Sequence, residues 1–234
     1  MRQIFLDTET TGLSPESGDR IIEIGCVEMV NRRLTGNNLH LYLNPERPSH
    51  EDAVKVHGLT DAFLADKPKF ASVADQVLDF VSGAEIIIHN AAFDVGFLNA
   101  ELARVKRGPF AGVVGRVTDT LQMAREMFPG KSNSLDALCR RLEVDNTSRT
   151  LHGALLDAGL LAEVYIRLTR GQNSLVIDTD SSEGEGATFK AVDFSSLRLP
   201  VLAPSTEELA AHAAVLADVN KASGGRAVWQ AAVA

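Results

Sequence analysis

The chain has 234 residues, 45% of them hydrophobic and 23% charged, with a net charge of −8; that suits one soluble domain with an extension, or two small domains. No apolar run reaches the roughly 18 residues of a membrane span, and "MRQIFLDTET" has too short an apolar stretch for a secretion signal. The acidic balance excludes a protein that holds nucleic acid alone by a broad basic surface, but not a small site that carries its own metal ions or is served by a partner.

In chain order, "QIFLDTE" reads as a buried strand running out of its sheet into polar residues. "RIIEIGCVEMV" and "LTGNNLHLYL" flank Asn31, Arg32 and Arg33 and read as a hairpin. "FASVADQVLDFVSG" places Phe70, Val73, Val77, Phe80 and Val81 at helical spacing and closes at Gly83. "AEIIIHN" is a second buried strand. "FDVGFLNAELARV" and "TDTLQMAREMF" read as helices with the short strand "GRVTD" between them. "SNSLDALCRRL" begins at a capping serine, and "GALLDAGLLAEVYIRLTRG" is the longest helix, ending at Gly171. Three strands followed by alternating helix and strand predict a mixed sheet with helices on its faces. Cys26 and Cys139 lack metal-type spacing and read as small core residues, which suits a reducing cytoplasm.

The texture changes after Gly171. "NSLVIDTDSSEGEGATFK" is acidic and rich in small residues, so 171–200 reads as a flexible linker. In 201–234, Ser205 with Glu208 three residues on forms a capping-box pattern. This tail, which holds the single tryptophan Trp229, is too short to bury a core and reads as a segment that folds on a partner.

Chemistry concentrates in three places. Asp7 and Glu9 are two apart, so on a strand they face one side, and two adjacent carboxylates repel unless a cation joins them. Alone, Asp7-Thr8-Glu9 also describes an ordinary turn after a strand. Asp94 follows a strand and opens a helix, where α/β sheets place sites and where the helix dipole also favours any acid. His152 and Asp157 are five apart, roughly 140° around a helix at about 100° per residue. They meet only if the helix begins near Gly153 and His152 lies in the loop before it; alone, the pair also describes a polar helix entrance. Oxygen-rich carboxylate clusters suit Mg²⁺ or Mn²⁺.

Asp-x-Glu, Asn-x3-Asp and His-x4-Asp in this order, with "TETTGL", "RIIEIG", "VHGLT", "HNAAFD", "NSLDALC" and "RTLHGALLDA", resemble the DEDDh family of 3′–5′ exonucleases. Within it, "NSLDALC" and "RTLHGALLDA", with "MFPGK" before them, are especially similar to the proofreading epsilon subunits of bacterial DNA polymerase III, and the linker and the Trp-bearing tail resemble them too. The resemblance implies a ribonuclease-H-like fold with a mixed five-stranded sheet over residues 1–170. It implies two divalent ions, Mg²⁺ or Mn²⁺: Asp7 bridges both, Glu9 and Asp157 complete the ligation and Asp94 supports the second ion. His152 is then the general base for the attacking water. Asp7, Glu9 and Asp157 also face the substrate. His57 and Val56 are expected against the 3′-terminal nucleotide and Asp52 near its sugar. Thr8 and Thr10 are expected to offer contacts, and Phe93 to offer packing. The tail is expected to bind the polymerase catalytic (alpha) subunit through Leu209, Val215, Leu216, Val219 and Trp229. A theta subunit or equivalent and the sliding clamp complete the expected partners. The clamp peptide here has Gln172, Leu175 and Ile177 and lacks the terminal aromatic. Two rival readings are an RNA-trimming nuclease of the same family and a polymerase scaffold with a vestigial site.

Overall fold

The computed structural model describes residues 1–147, 149, 151–170 and 203–227. Its centre is one mixed five-stranded sheet in the order β3-β2-β1-β4-β5. The strands are β1 (Arg2–Thr10), β2 (Ile21–Val30), β3 (Arg33–Tyr42), β4 (Glu85–Ile88) and β5 (Arg116–Asp119). β1 pairs antiparallel with β2 and parallel with β4, and β4 pairs parallel with β5. The hairpin joining β2 to β3 turns on Asn31 (φ 49°) and Arg32 (φ 62°), the left-handed pair that a two-residue hairpin demands. Arg33 therefore belongs to β3 and not to the turn.

β1 is buried on both faces, and its alternation divides the core. Ile4 and Leu6 pack with α3 (Phe70–Val81) and α4 (Ala91–Arg104). Phe5 lies on the other face with Ala158, Leu161 and Tyr165 of α7 (Ala154–Leu168). α5 (Thr120–Met127) and α6 (Leu135–Arg141) close a third cluster against α7 through Ala124, Leu138 and Cys139. Burying each large apolar side chain stabilises by roughly 1.5–3 kcal/mol, so the two sheet faces, more than helix propensity, hold these helices. Both cysteines are buried and unbridged.

Two helices were not expected from the sequence: α1 (Glu51–His57), which ends on Gly58 at φ 74°, and α2 (Asp61–Leu64). α7 ends at Leu168, short of the expected Gly171, which lies outside the described residues. Also outside them are Gln172, Leu175, Ile177 and Trp229. The chain divides into two compact units, Met1–Leu175 and Val176–Ala234. In the second, α8 (Thr206–Ala222) starts on the expected capping box, Ser205 and Glu208 each bonding the other's backbone, and buries none of its residues. Among the described residues, no helix is long and apolar enough to cross a membrane.

Candidate active site

β1 and β4 stay paired only from Gln3↔Glu85 to Phe5↔Ile87. Beyond Phe5, β1 runs on to Thr10 beside β2 alone, and a crevice opens at the carboxyl ends of two parallel strands. It holds a cavity of about 260 Å³ whose walls include Asp7, Thr8, Glu9, Phe93, Asp94, Asp136, Arg149, His152 and Asp157.

The alternation that sorts the core also sorts the site. Asp7 and Glu9 follow Phe5 and face α7; Thr8 follows Leu6 and faces α4. α7 reaches Asp7 because of one glycine. Gly25 is the β2 partner of Asp7, and a Cβ there would lie 2.2 Å from the Ala154 carbonyl carbon and the Leu155 nitrogen. The first turn of α7 therefore rests on bare β2 backbone, and that turn carries the buried Asp157. Gly153 caps the helix, which leaves His152 in the preceding loop. The backbone N–H of His152 donates to the Val56 carbonyl (3.1 Å), and its side chain is 46% exposed. Oxygen and nitrogen donors of Glu9, His152 and Asp157 lie within 4.8 Å of one another.

Asp94 enters from the opposite layer, in the first turn of α4. It is buried, and the Thr8 hydroxyl donates to its Oδ1 at 2.7 Å. α4 begins at Asn90, a left-handed residue (φ 68°) whose side chain caps nothing. The Asp119 carboxylate, at the end of β5, instead accepts from the Asn90 and Ala91 N–H groups at 3.2 and 3.1 Å. Asp119 thus sets the start of the helix that delivers Asp94.

Crowding four acids into a crevice has an electrostatic cost. Burial, then the charges of Asp94, Glu9 and Asp157, push Asp7 well above the usual carboxylate range. Glu9 is pushed up to about 8 by burial, then by Glu23 and Asp157. Asp94 rises to about 7 through burial, which outweighs the hydrogen bond from Thr8. Arg149 is the counter-charge. Its Nε and Nη2 donate to Asp157 Oδ1 and Oδ2 at 2.5 and 2.6 Å, its Nη1 donates to Asp136 at 2.8 Å, and Nη2 also meets His152 Nδ1 at 3.0 Å. One guanidinium does not neutralise four carboxylates. The remaining negative charge, carried on hard oxygen donors, fits divalent cations of the Mg²⁺ or Mn²⁺ class.

The structure gathers Asp7, Glu9, Asp94, His152, Asp157 and Phe93 in this cavity. Val56 and Asp52 line a neighbouring cavity of about 550 Å³ with Gly12 and Leu13. Val56 is 44% exposed there, whereas Asp52 pairs with Lys55 in solvent at 2.8 Å. His57 is buried; its Nδ1 accepts from the Leu59 N–H and its Nε2 has no partner. Burial and the nearby His152 lower its pKa. The Thr10 hydroxyl is spent inside the chain, donating to the Gly12 carbonyl at 2.6 Å. Sequence reasoning passed over Arg149, Asp136 and Asp119. The one available signal was the arginine that opens "RTLHGALLDAGL", three residues before His152 and eight before Asp157.

The exonuclease family RNase T matches residues 4–165. DNA polymerase III subunit epsilon of Escherichia coli K12 is 52% identical over 98% of both chains. That of Pasteurella multocida is 53% identical over 98% of this chain and 93% of its own. This chain belongs to the DNA polymerase III epsilon family of exonucleases. Among solved structures, exonuclease X in complex with 5′-overhanging duplex DNA is 28% identical to this epsilon-family chain, with a TM-score of 0.56 over 71% of it and 90% of exonuclease X. A complex of E. coli exonuclease I with single-stranded DNA is 19% identical with a TM-score of 0.64 over 73% of this chain, a likeness of fold alone.

Proposed function

We propose that the crevice hydrolyses the 3′-terminal phosphodiester of DNA with two divalent ions, Mg²⁺ or Mn²⁺, and a histidine base. The chain is a 3′–5′ proofreading exonuclease of DNA polymerase III. Asp7, Glu9 and Asp157 would hold the ions, with Asp94 supporting the second; such ions supply water activation and charge stabilisation on the leaving oxygen. The protein's own part is placement. Thr8 fixes the Asp94 carboxylate, and Gly25 lets α7 bring Asp157 against β1. His152 takes the proton of the attacking water at Nδ1, the ring nitrogen on the Asp157 side (3.7 Å from Oδ2).

The terminal nucleotide is held by Val56 and His57, with Asp52 toward its sugar, Thr10 shaping the loop and Phe93 forming the wall. The exposed Val56 and the unpartnered Nε2 of His57 favour this assignment. A mispaired end frays at lower cost, so a site that accepts only single strand selects errors without reading bases. The partners are the polymerase catalytic (alpha) subunit on residues 201–234, a theta-like subunit, and the sliding clamp on 171–200. The location is the cytoplasm.

The observation that carries the reading is the convergence of Asp7, Glu9, Asp94 and Asp157 from three elements, with the carboxyls of Asp7, Glu9 and Asp94 pushed toward neutrality. The test uses a 5′-labelled duplex with a paired or mispaired 3′ end, single-stranded DNA and an RNA oligomer, with Mg²⁺ and then with chelator. Mononucleotide release that needs the metal, runs fastest on the mispaired end and prefers DNA is expected. Preference for RNA would favour a trimming nuclease, and no release from any substrate a vestigial site.

A further inference from the structure

We propose that Arg149 is a latch built into the site: its guanidinium and a divalent cation compete for Asp157, so that cation binding also uncovers His152. This rests on the assignment of Asp157 as a metal ligand given above.

The geometry is specific. Arg149 is 7% exposed, and all three of its guanidinium nitrogens donate within the site. Both oxygens of Asp157 accept from it, a bidentate pair of the strong charge-assisted kind. The fork takes one lone pair of each oxygen and sets its positive charge beside the others, so it opposes a cation at either oxygen. Arginine has no acceptor, so in the contact with His152 it must be the donor, and the Nδ1 lone pair is occupied too. One side chain thus covers both a ligand and the base.

Asp136 gives the guanidinium somewhere to stay. It lies in the first turn of α6 with its side chain 43% exposed, and it accepts from Nη1 while Nε and Nη2 hold Asp157. It is not one of the four ligand carboxylates. Arg149 can leave Asp157 by side-chain rotation while keeping Asp136, because the backbone of its loop is tied separately, Arg149 N–H to the Asn146 carbonyl and His152 N–H to the Val56 carbonyl.

A competitor and a merely structural arginine give opposite results when removed. Loss of a structural brace would loosen Asp157 and weaken cation binding, whereas loss of a competitor strengthens it. The experiment titrates Mn²⁺ into chelator-treated full-length protein, reading free Mn²⁺ by electron paramagnetic resonance, together with thermal unfolding in chelator and in saturating Mn²⁺. Arg149→Gln is expected to bind Mn²⁺ about tenfold tighter than wild type. It is expected to melt lower in chelator and to gain more in Tm from Mn²⁺. Arg149→Lys keeps the charge without the fork and is expected to tighten binding by a smaller factor. Unchanged or weaker Mn²⁺ binding in folded Arg149→Gln, or in Arg149→Lys should the first variant not fold, overturns the latch. Asp157→Asn separates the two levels: undiminished Mn²⁺ binding there overturns the ligand assignment and the latch with it.

Discussion

Burial pushes Glu9 and Asp94 up to about 8 and about 7, from ordinary values of 4.5 and 3.8. A carboxyl raised on folding binds its proton more tightly in the native chain than in the unfolded one. Its stabilisation is complete below the unfolded value and is lost as pH rises through the folded value. His57 and His89 are shifted the other way by burial, so their contribution is settled above the ordinary histidine range. Chelated protein should therefore lose Tm steadily from about pH 6.5 to about pH 8.5, a fall that Mn²⁺ or Glu9→Gln flattens. A flat or rising Tm in chelator over that interval contradicts the description of the site. His152 makes a separate prediction. His152→Ala should lower turnover about 10²- to 10⁴-fold, the usual weight of a general base. Its Mn²⁺ and oligonucleotide binding should stay close to wild type, and undiminished turnover would sink the assignment.

Among the elements, α7 depends on what β2 lacks. Gly25→Ala puts a methyl where the α7 backbone already lies, so helix or strand must shift. Overpacking of this kind costs about 1–3 kcal/mol, and the shift also moves Asp157. A drop in Tm together with weaker Mn²⁺ binding is expected; a drop in Tm with unchanged Mn²⁺ affinity would show that Asp157 is not placed by this contact. The same contact shows what the sequence discloses. α3 was legible because Phe70, Val73, Val77 and Val81 recur at helical spacing on a buried face. β1 and β4 were legible because strands buried on both faces are continuously apolar. α1 and α2 were not, since they bury only His57 and Leu64 and leave no stripe to read. The loop position of His152 could be anticipated from its angular mismatch with Asp157. The fork of Arg149 on Asp157, the cap of Asp119 on α4 and the seat of α7 on Gly25 could not, because each joins residues whose neighbourhood exists only after folding.

For the whole molecule, the proposed function divides the labour between cutting and tethering. α8 leaves Leu209, Val215 and Val219 exposed, and its capping box sets its start without help from a core. If residues 201–234 bind the polymerase as proposed, a chain ended after Gly171 should still release mononucleotides and no longer bind the catalytic subunit. Co-elution of that shortened chain with the subunit would contradict the assignment. The net charge of −8 suits this arrangement, since a partner that presents the DNA end removes the need for a basic surface.

The four carboxylates also follow the order in which a ribosome makes them. Asp7 and Glu9 emerge with the first strand, Asp94 midway, and Asp157 with the last helix of the sheet-bearing unit. The first strand pairs with β2 on one side and β4 on the other, and α7 rests on Gly25 of β2. A nascent chain therefore has no assembled site during most of its synthesis. Nucleic acid near the ribosome meets a nuclease only after the sheet-bearing unit has folded.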